Sequence, residues 1–204
     1  MSTLDKKLYF WYEFASSYSY LSALRIEKLA AAQGVSLAWR PFLLGPIFRE
    51  QGWDNSPFNI YPAKGKYMWR DVERRAKAYG IPFRKPEIFP QNSVLASRLA
   101  YVGQEQNWCP EFTRRVFLAN FAEGQDISQT EVLISILQSM GLSVNELMEE
   151  AQSPEVKTAL KNQTEKAKNW GIFGAPSFIA DGELFWGDDR LEEALQHLLA
   201  SSNP

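Results

Sequence analysis

Residues 14–21 read FASSYSYL, directly after the apolar run LYFWYEF at 8–14. An aromatic run without helical period predicts a buried strand over 7–14. Residues 17–33 place Tyr20, Leu21, Leu24, Ile26 and Leu29 roughly on one face, and Gly34 supplies a left-handed stop, which predicts a helix. Ser16 and Ser19 therefore stand at a strand-to-helix junction. Unpaired backbone N–H groups and the positive end of a helix dipole gather there around a hydroxyl. Such a spot suits an anion or a thiolate. Both serines also fit the plainer role of N-cap, which needs only a hydroxyl. The single histidine, His197, lies near the C-terminus, beside Leu195, Leu198 and Leu199. That argues against a Ser-His-Asp hydrolase, which needs a base beside its serine.

Working outward, residues 35–44 alternate well enough for a second strand, giving a βαβ unit with a right-handed crossover. Residues 45–61 (GPIFREQGWDNSPFNIY) read as one long loop, a class of segment that is often functional. From 62 to 170 nearly every segment carries helix punctuation. A helix over 63–79 is stopped by Gly80 and Pro82. Ser93 caps a helix reaching about Gln106, and Pro110 sits in the first turn of another reaching about Ala122. Ser128-x-x-Glu131 and Ser143-x-x-Glu146 fit capping boxes, and Ser153-Pro154 opens a further helix that Gly171 ends. Strands at 177–180 and 184–186 flank Asp181-Gly182, a hairpin signal. Gly187-Asp188-Asp189 then opens the last helix, with Asp189-x-x-Glu192 as a capping box. The reading is an α/β domain made of 1–61 and 171–204, interrupted by an all-helical insertion at 62–170.

Composition narrows the function classes. The 204 residues are 45% hydrophobic and 14% aromatic, enough for a sizeable core. The net charge of −2 mixes both signs along the chain, unlike the basic face of a nucleic-acid binder. No apolar stretch approaches the roughly 18–20 residues of a membrane span, and the N-terminus lacks the pattern of a signal peptide. One cysteine, Cys109, and one histidine leave no internal disulfide and no metal site. The simplest reading is a cytoplasmic protein, with no metal, nucleic acid or membrane partner, acting on a small molecule.

Four runs in order carry a resemblance: F-x-S-x-x-S-Y-L at 14–21, P-A-K-G-K-Y-M at 62–68, G-I-F-G-A-P at 171–176 and F-W-G-D-D-R-L at 185–191. Across essentially its whole length the chain resembles the 2-hydroxychromene-2-carboxylate isomerase family, kin of kappa-class glutathione transferases. Both belong to the DsbA-like branch of the thioredoxin superfamily. The resemblance implies a thioredoxin-like domain with a large all-helical insertion, glutathione as cofactor, and a homodimer, although no heptad or apolar stripe in the sequence demands one. It implies that Ser16 is the catalytic residue, hydrogen-bonding the glutathione sulfur, and that Asn55 touches glutathione. Ala175, before a cis Pro176, pairs with the cysteinyl backbone. Asp188 and Asp189 meet the γ-glutamyl group, although a capping role alone also accounts for Asp189, and Pro176 and Gly187 complete the glutathione-binding set. Arg49, Lys64 and Tyr67 are candidates on the substrate side. The implied reaction is reversible thiolate addition to a conjugated aromatic-pathway substrate, rotation about the resulting single bond, and elimination. The alternatives are a kappa-class-like glutathione transferase, which stops at the conjugate, and a non-catalytic binding protein on the same scaffold. A disulfide oxidoreductase is nearly excluded, because neither serine of S-x-x-S can form a disulfide. One position departs from the family pattern: Ser17 stands where Pro is usual.

Overall fold

The computed structural model describes residues 6–200, so the expected domain limits at residues 1 and 204 lie outside the described residues. Strand β1 (Lys7–Tyr12) runs parallel to β2 (Ser36–Pro41) and antiparallel to β3 (Ser177–Ala180). A hairpin joins β3 to β4 (Glu183–Trp186), and the sheet order is β2-β1-β3-β4. Asp181 and Gly182 take φ of 49° and 81°, the two left-handed residues that a tight hairpin turn requires.

Strand alternation divides the core. On one face of β1, Leu8, Phe10 and Tyr12 are fully buried, and Phe10 stacks on Phe178 and meets Trp39 edge-on. On the other face Trp11 joins a smaller cluster with Phe42, Ile47, Ala167, Ile172 and Ile179. Burying one such side chain contributes about 1.5–3 kcal/mol.

After β1 the chain forms α1 (Ser17–Ala23) and α2 (Ile26–Ala31), not the single helix predicted over 17–33. The break falls at Arg25, whose backbone (φ −125°, ψ −20°) leaves helical geometry while its guanidinium reaches Glu192 and Asp188. The expected loop at 45–61 contains two short helices, α3 (Leu44–Glu50) and α4 (Pro57–Ile60). Helix α5 (Pro62–Tyr79) ends at Gly80 with φ 68°, as its sequence predicts. Then follow α6 (Val94–Glu105) and α7 (Cys109–Leu118), the latter running into a π-helical turn at Ala119–Glu123. Helices α8 (Thr130–Ser139), α9 (Val144–Gln152) and α10 (Pro154–Asn169) complete the segment before β3. A short 3-10 turn, Asp188–Arg190, leads into α11 (Leu191–Ala200).

Among the described residues, the helices between β2 and β3 share the core of the sheet. Met68, Val72, Leu99, Phe112, Phe117 and Leu137 belong to the same buried cluster as β1 and α11. Of the expected caps, Ser153 accepts from the Val156 N–H, but Ser143 makes no side-chain cap. Ser128 caps nothing either, because α8 begins two residues later and the Ser128 N–H is held by Asp126.

Helix α4 is fixed by a close approach. Gly65 on α5 faces the Phe58 carbonyl, and an added Cβ would overlap that oxygen. Gly65→Ala is expected to cost about 1–3 kcal/mol in a urea melt through overpacking. An unchanged melt would mean that α4 does not rest on α5.

Candidate active site

Ser16 is the N-cap of α1, with extended backbone (φ −91°, ψ 114°). Its Oγ accepts from the Ser19 N–H at 3.1 Å and donates to the Ala175 carbonyl at 2.8 Å. The hydroxyl thus caps a helix and also bridges to the far end of the chain. Ser19 is fully buried and its Oγ has no hydrogen-bond partner among the described residues. Ser17 is buried as well and donates to the sulfur of Met68 at 3.4 Å. The Ala175–Pro176 bond is cis, and the Ala175 N–H makes no hydrogen bond among the described residues.

Ser16 and Ala175 line a cleft of about 1680 Å³. Drug-sized ligands fill roughly 300–1,000 Å³, so this cleft has room for more than one small molecule. Two aromatic pairs flank it: Phe48 with Trp53 at 5.6 Å, and Phe173 with Trp186 at 4.7 Å between ring centroids. Asn55, Arg49, Lys64, Tyr67, Gly187, Asp188 and Asp189 all border the same cleft. Pro176 does not; its carbonyl instead accepts the Gly187 N–H at 3.0 Å, tying the cis-proline segment to the Asp-Asp turn. The Asn55 Oδ1 accepts from the Ser56 N–H and from the Asn59 side chain, which turns the loop around it. Lys64 lies over the Tyr61 ring, and Tyr67 is 63% exposed.

Asp188 departs from the sequence reading. Its side chain is 0% exposed, and its carboxylate is taken up by the protein. Ser22 donates to it at 2.9 Å and Tyr79 at 3.2 Å, while Arg25 and Arg75 each reach it at 3.4 Å. Burial raises its pKa, and Arg25, Ser22, Arg75 and Tyr79 oppose that rise. Asp188 therefore acts as an internal counter-ion that binds the 3-10 turn to α1 and α5. The carboxylate exposed at the cleft is that of Asp189, 47% exposed and 3.7 Å from the Arg190 guanidinium. The N-cap of this turn is Gly187, which has no side chain to cap with, and the Asp189 carboxylate accepts no backbone N–H among the described residues, so Asp189 does not serve as the cap that its spacing suggests.

Two further features were not singled out in the sequence. Arg75 lines the cleft, pairs with Asp71 at 2.9 Å as well as with Asp188, and keeps 29% of its side chain exposed. Asp71 in turn accepts from the hydroxyl of Tyr18, which also lines the cleft, at 3.0 Å. The second feature is Glu13, 4% exposed and bordering the cleft. It accepts from the Ala15 N–H at 3.3 Å, from the Leu44 N–H at 3.0 Å and from the Ser93 hydroxyl. Ser93, expected to cap α6, uses its hydroxyl here instead. Burial pushes the Glu13 carboxyl above its ordinary value, against those hydrogen bonds. The sequence signal was available: a glutamate inside an aromatic strand run, three residues before Ser16.

Glu13 gives a pH prediction. Between the ordinary glutamate value and the raised folded value the native state holds the extra proton, so this group makes stability fall as pH rises through that window. Urea melts of wild type and Glu13→Gln from about pH 4 upward are expected to show a wild-type advantage that shrinks as pH rises. A difference independent of pH would contradict it.

Cys109 is buried beside Tyr12 and Thr113, and burial pushes its thiol up to about 11. It is a packed thiol and not a nucleophile at neutral pH. Among the described residues no group of three or more His, Cys, Asp or Glu side chains is placed to hold a metal ion, and no helix is long and apolar enough to cross a membrane.

Comparison with known proteins agrees with this geometry. The family model of the DSBA-like thioredoxin domain matches residues 7–199. A 2-hydroxychromene-2-carboxylate isomerase of Sphingobium xenophagum is 28% identical over 198 residues, covering 96% of this chain and 100% of the relative. Human glutathione S-transferase kappa 1 is 29% identical over 213 residues, covering 98% and 93%. A solved 2-hydroxychromene-2-carboxylate isomerase superposes with a TM-score of 0.84 at 25% identity, covering 96% of this chain and 97% of that one. With a single sheet, a cis-proline loop facing a helix N-cap and a family model spanning nearly its whole length, the chain belongs to the DSBA-like thioredoxin domain family.

Proposed function

We propose that this protein is a glutathione-dependent isomerase acting on 2-hydroxychromene-2-carboxylate or a related conjugated aromatic substrate. The observation that carries the reading is the Ser16 hydroxyl, held at a helix N-cap opposite the backbone of Ala175, in a cleft that contains no cysteine. Relatives named as isomerases and as glutathione transferases support it.

The residues fit glutathione. The unpaired Ala175 N–H offers a donor to a peptide-like backbone, and the Ser16 hydroxyl offers one to sulfur. Asp189 presents an exposed carboxylate, held among the described residues only by Arg190 at 3.7 Å, to an ammonium, and Asn55 keeps its amide donors beside the cleft. When bound, glutathione supplies a thiolate that adds reversibly to a conjugated carbon.

The chain's own contribution is electrostatic and positional. Ser16 has one proton. It now serves the Ala175 carbonyl, and rotation of the hydroxyl turns it toward a sulfur while the oxygen still accepts from Ser19. The start of α1 adds a positive field. Arg49 and Lys64 provide cations for a substrate carboxylate, and the flanking aromatic pairs provide apolar faces. A cytoplasmic setting and a homodimer belong to the same reading.

The second reading is a kappa-class-like transferase, favoured by the human relative. Incubation with 2-hydroxychromene-2-carboxylate and glutathione separates the two by product. Isomer formed with glutathione recovered supports the isomerase. A glutathione conjugate supports the transferase, and no turnover of any conjugated substrate supports a binding protein.

A further inference from the structure

Glu13 is a buried carboxylate on the wall of the cleft that the proposed chemistry leaves without a task. Its neighbours are all neutral donors. The Ala15 N–H comes from the turn that carries Ser16, the Leu44 N–H from the start of α3, and the Ser93 hydroxyl from the start of α6. No Lys, Arg or His forms an ion pair with it among the described residues. The other charged groups bordering the cleft are Arg49, Asp54, Lys64, Asp71, Arg75, Asp188, Asp189 and Arg190, with the phenols of Tyr18 and Tyr67, and none of them makes a hydrogen bond or ion pair with Glu13 among the described residues. The carboxylate is also tied to the serine turn through the backbone, since the Ser16 N–H donates to the Glu13 carbonyl at 2.9 Å.

This arrangement constrains any thiol that ionises beside Ser16. An ionised sulfur held at Ser16 and an ionised Glu13, which borders the same cleft and is 4% exposed, would place two negative charges on one wall with no cation paired to Glu13. Two anions in that position share a proton instead. The site keeps its single negative charge if the proton moves from sulfur to carboxylate.

We propose that Glu13 is the proton acceptor for the thiol that binds at Ser16. The S–H bond breaks, its electron pair stays on sulfur, and the proton forms an O–H bond on the Glu13 carboxylate. No other reactant is required. Ser93 is built for both states: its hydroxyl donates to the ionised carboxylate and accepts from the protonated one, rotating about a single bond. The Ala15 and Leu44 amides hold the carboxyl in place throughout. Burial favours the neutral form of the acid. When the reaction ends, the same proton is available to return to the thiol. The inference rests on the reading of the cleft as a glutathione site.

Three measurements on the same samples test it. Calorimetric titration with glutathione at pH 7, in buffers of low and high ionisation enthalpy, counts protons released on binding. Ultraviolet absorbance reports whether the bound sulfur is a thiolate. Infrared difference spectra report a protonated carboxylic acid. S-methylglutathione serves as the probe without a titratable thiol. The expected wild-type result is a thiolate, release of far less than one proton, and a new carboxylic-acid band that S-methylglutathione does not induce. In Glu13→Gln, with the competing charge gone, the thiolate forms with about one proton released to buffer and without the band. A wild-type thiolate accompanied by release of a full proton, or a bound thiol that never ionises, overturns the proposal even if glutathione binds. Absence of any binding heat for both ligands instead removes the glutathione reading, and this inference with it.

Discussion

Ser16→Ala is expected to lower kcat/KM by about 10²–10³-fold, the usual cost of removing one donor aimed at developing negative charge in a secluded site. The bound thiol should also ionise at higher pH, visible in the thiolate absorbance. Glutathione affinity should change less, because Ala175, Asn55 and Asp189 border the cleft from other elements. The variant also loses the N-cap of α1 and the bridge to the Ala175 carbonyl. Losing a cap costs about 1 kcal/mol, so a urea melt must accompany the kinetics. A kinetic loss far beyond the fraction unfolded supports the role given to the hydroxyl. Unchanged turnover with an unchanged thiol pKa removes Ser16 from the chemistry.

The largest stability effect is expected at Asp188. Deleting its carboxylate leaves Arg25 and Arg75 without this shared counter-ion and withdraws the acceptor for Ser22 and Tyr79. Arg25 is only 12% exposed, so water replaces the lost partner poorly. Breaking a buried ion pair from one side typically costs about 3–5 kcal/mol. Asp188→Ala should lose that much in a urea melt. Asp188→Asn, which keeps an acceptor oxygen but not the charge, should lose less. Arg25 keeps its bidentate pairing with Glu192 in both variants, so the junction of α2 and α11 is not abandoned. A loss below about 1 kcal/mol in the alanine variant would contradict the counter-ion role.

These two residues also show what sequence reveals and what it hides. Local signals read well. The aromatic strand, the hairpin at Asp181-Gly182, the left-handed stops at Gly80 and Gly171 and the Ser153-Pro154 helix start are all set by backbone chemistry within a few residues. Ser16 was legible for the same reason, since an N-cap is a local object. Failures occur where a partner distant in sequence takes over a side chain. Ser93 looks like a cap, but Glu13, 80 residues earlier, claims its hydroxyl. The Asp-Asp pair looks like two ligand contacts, but Arg25 and Arg75 draw Asp188 inward and leave only Asp189 open. The 17–33 helix breaks at Arg25 for the same long-range network. Arg75 reads as one more cation on an amphipathic helix until the 3-10 turn is folded against it.

The central claim is a glutathione site spanning Ser16, Ala175 and Asp189. Its most direct test is calorimetric titration with glutathione, in parallel on wild type, Ser16→Ala and Asp189→Ala. The account predicts saturable wild-type binding that weakens when the exposed Asp189 carboxylate is removed and persists, with a less acidic thiol, when Ser16 is replaced. No binding to the folded wild-type protein at millimolar glutathione would contradict it.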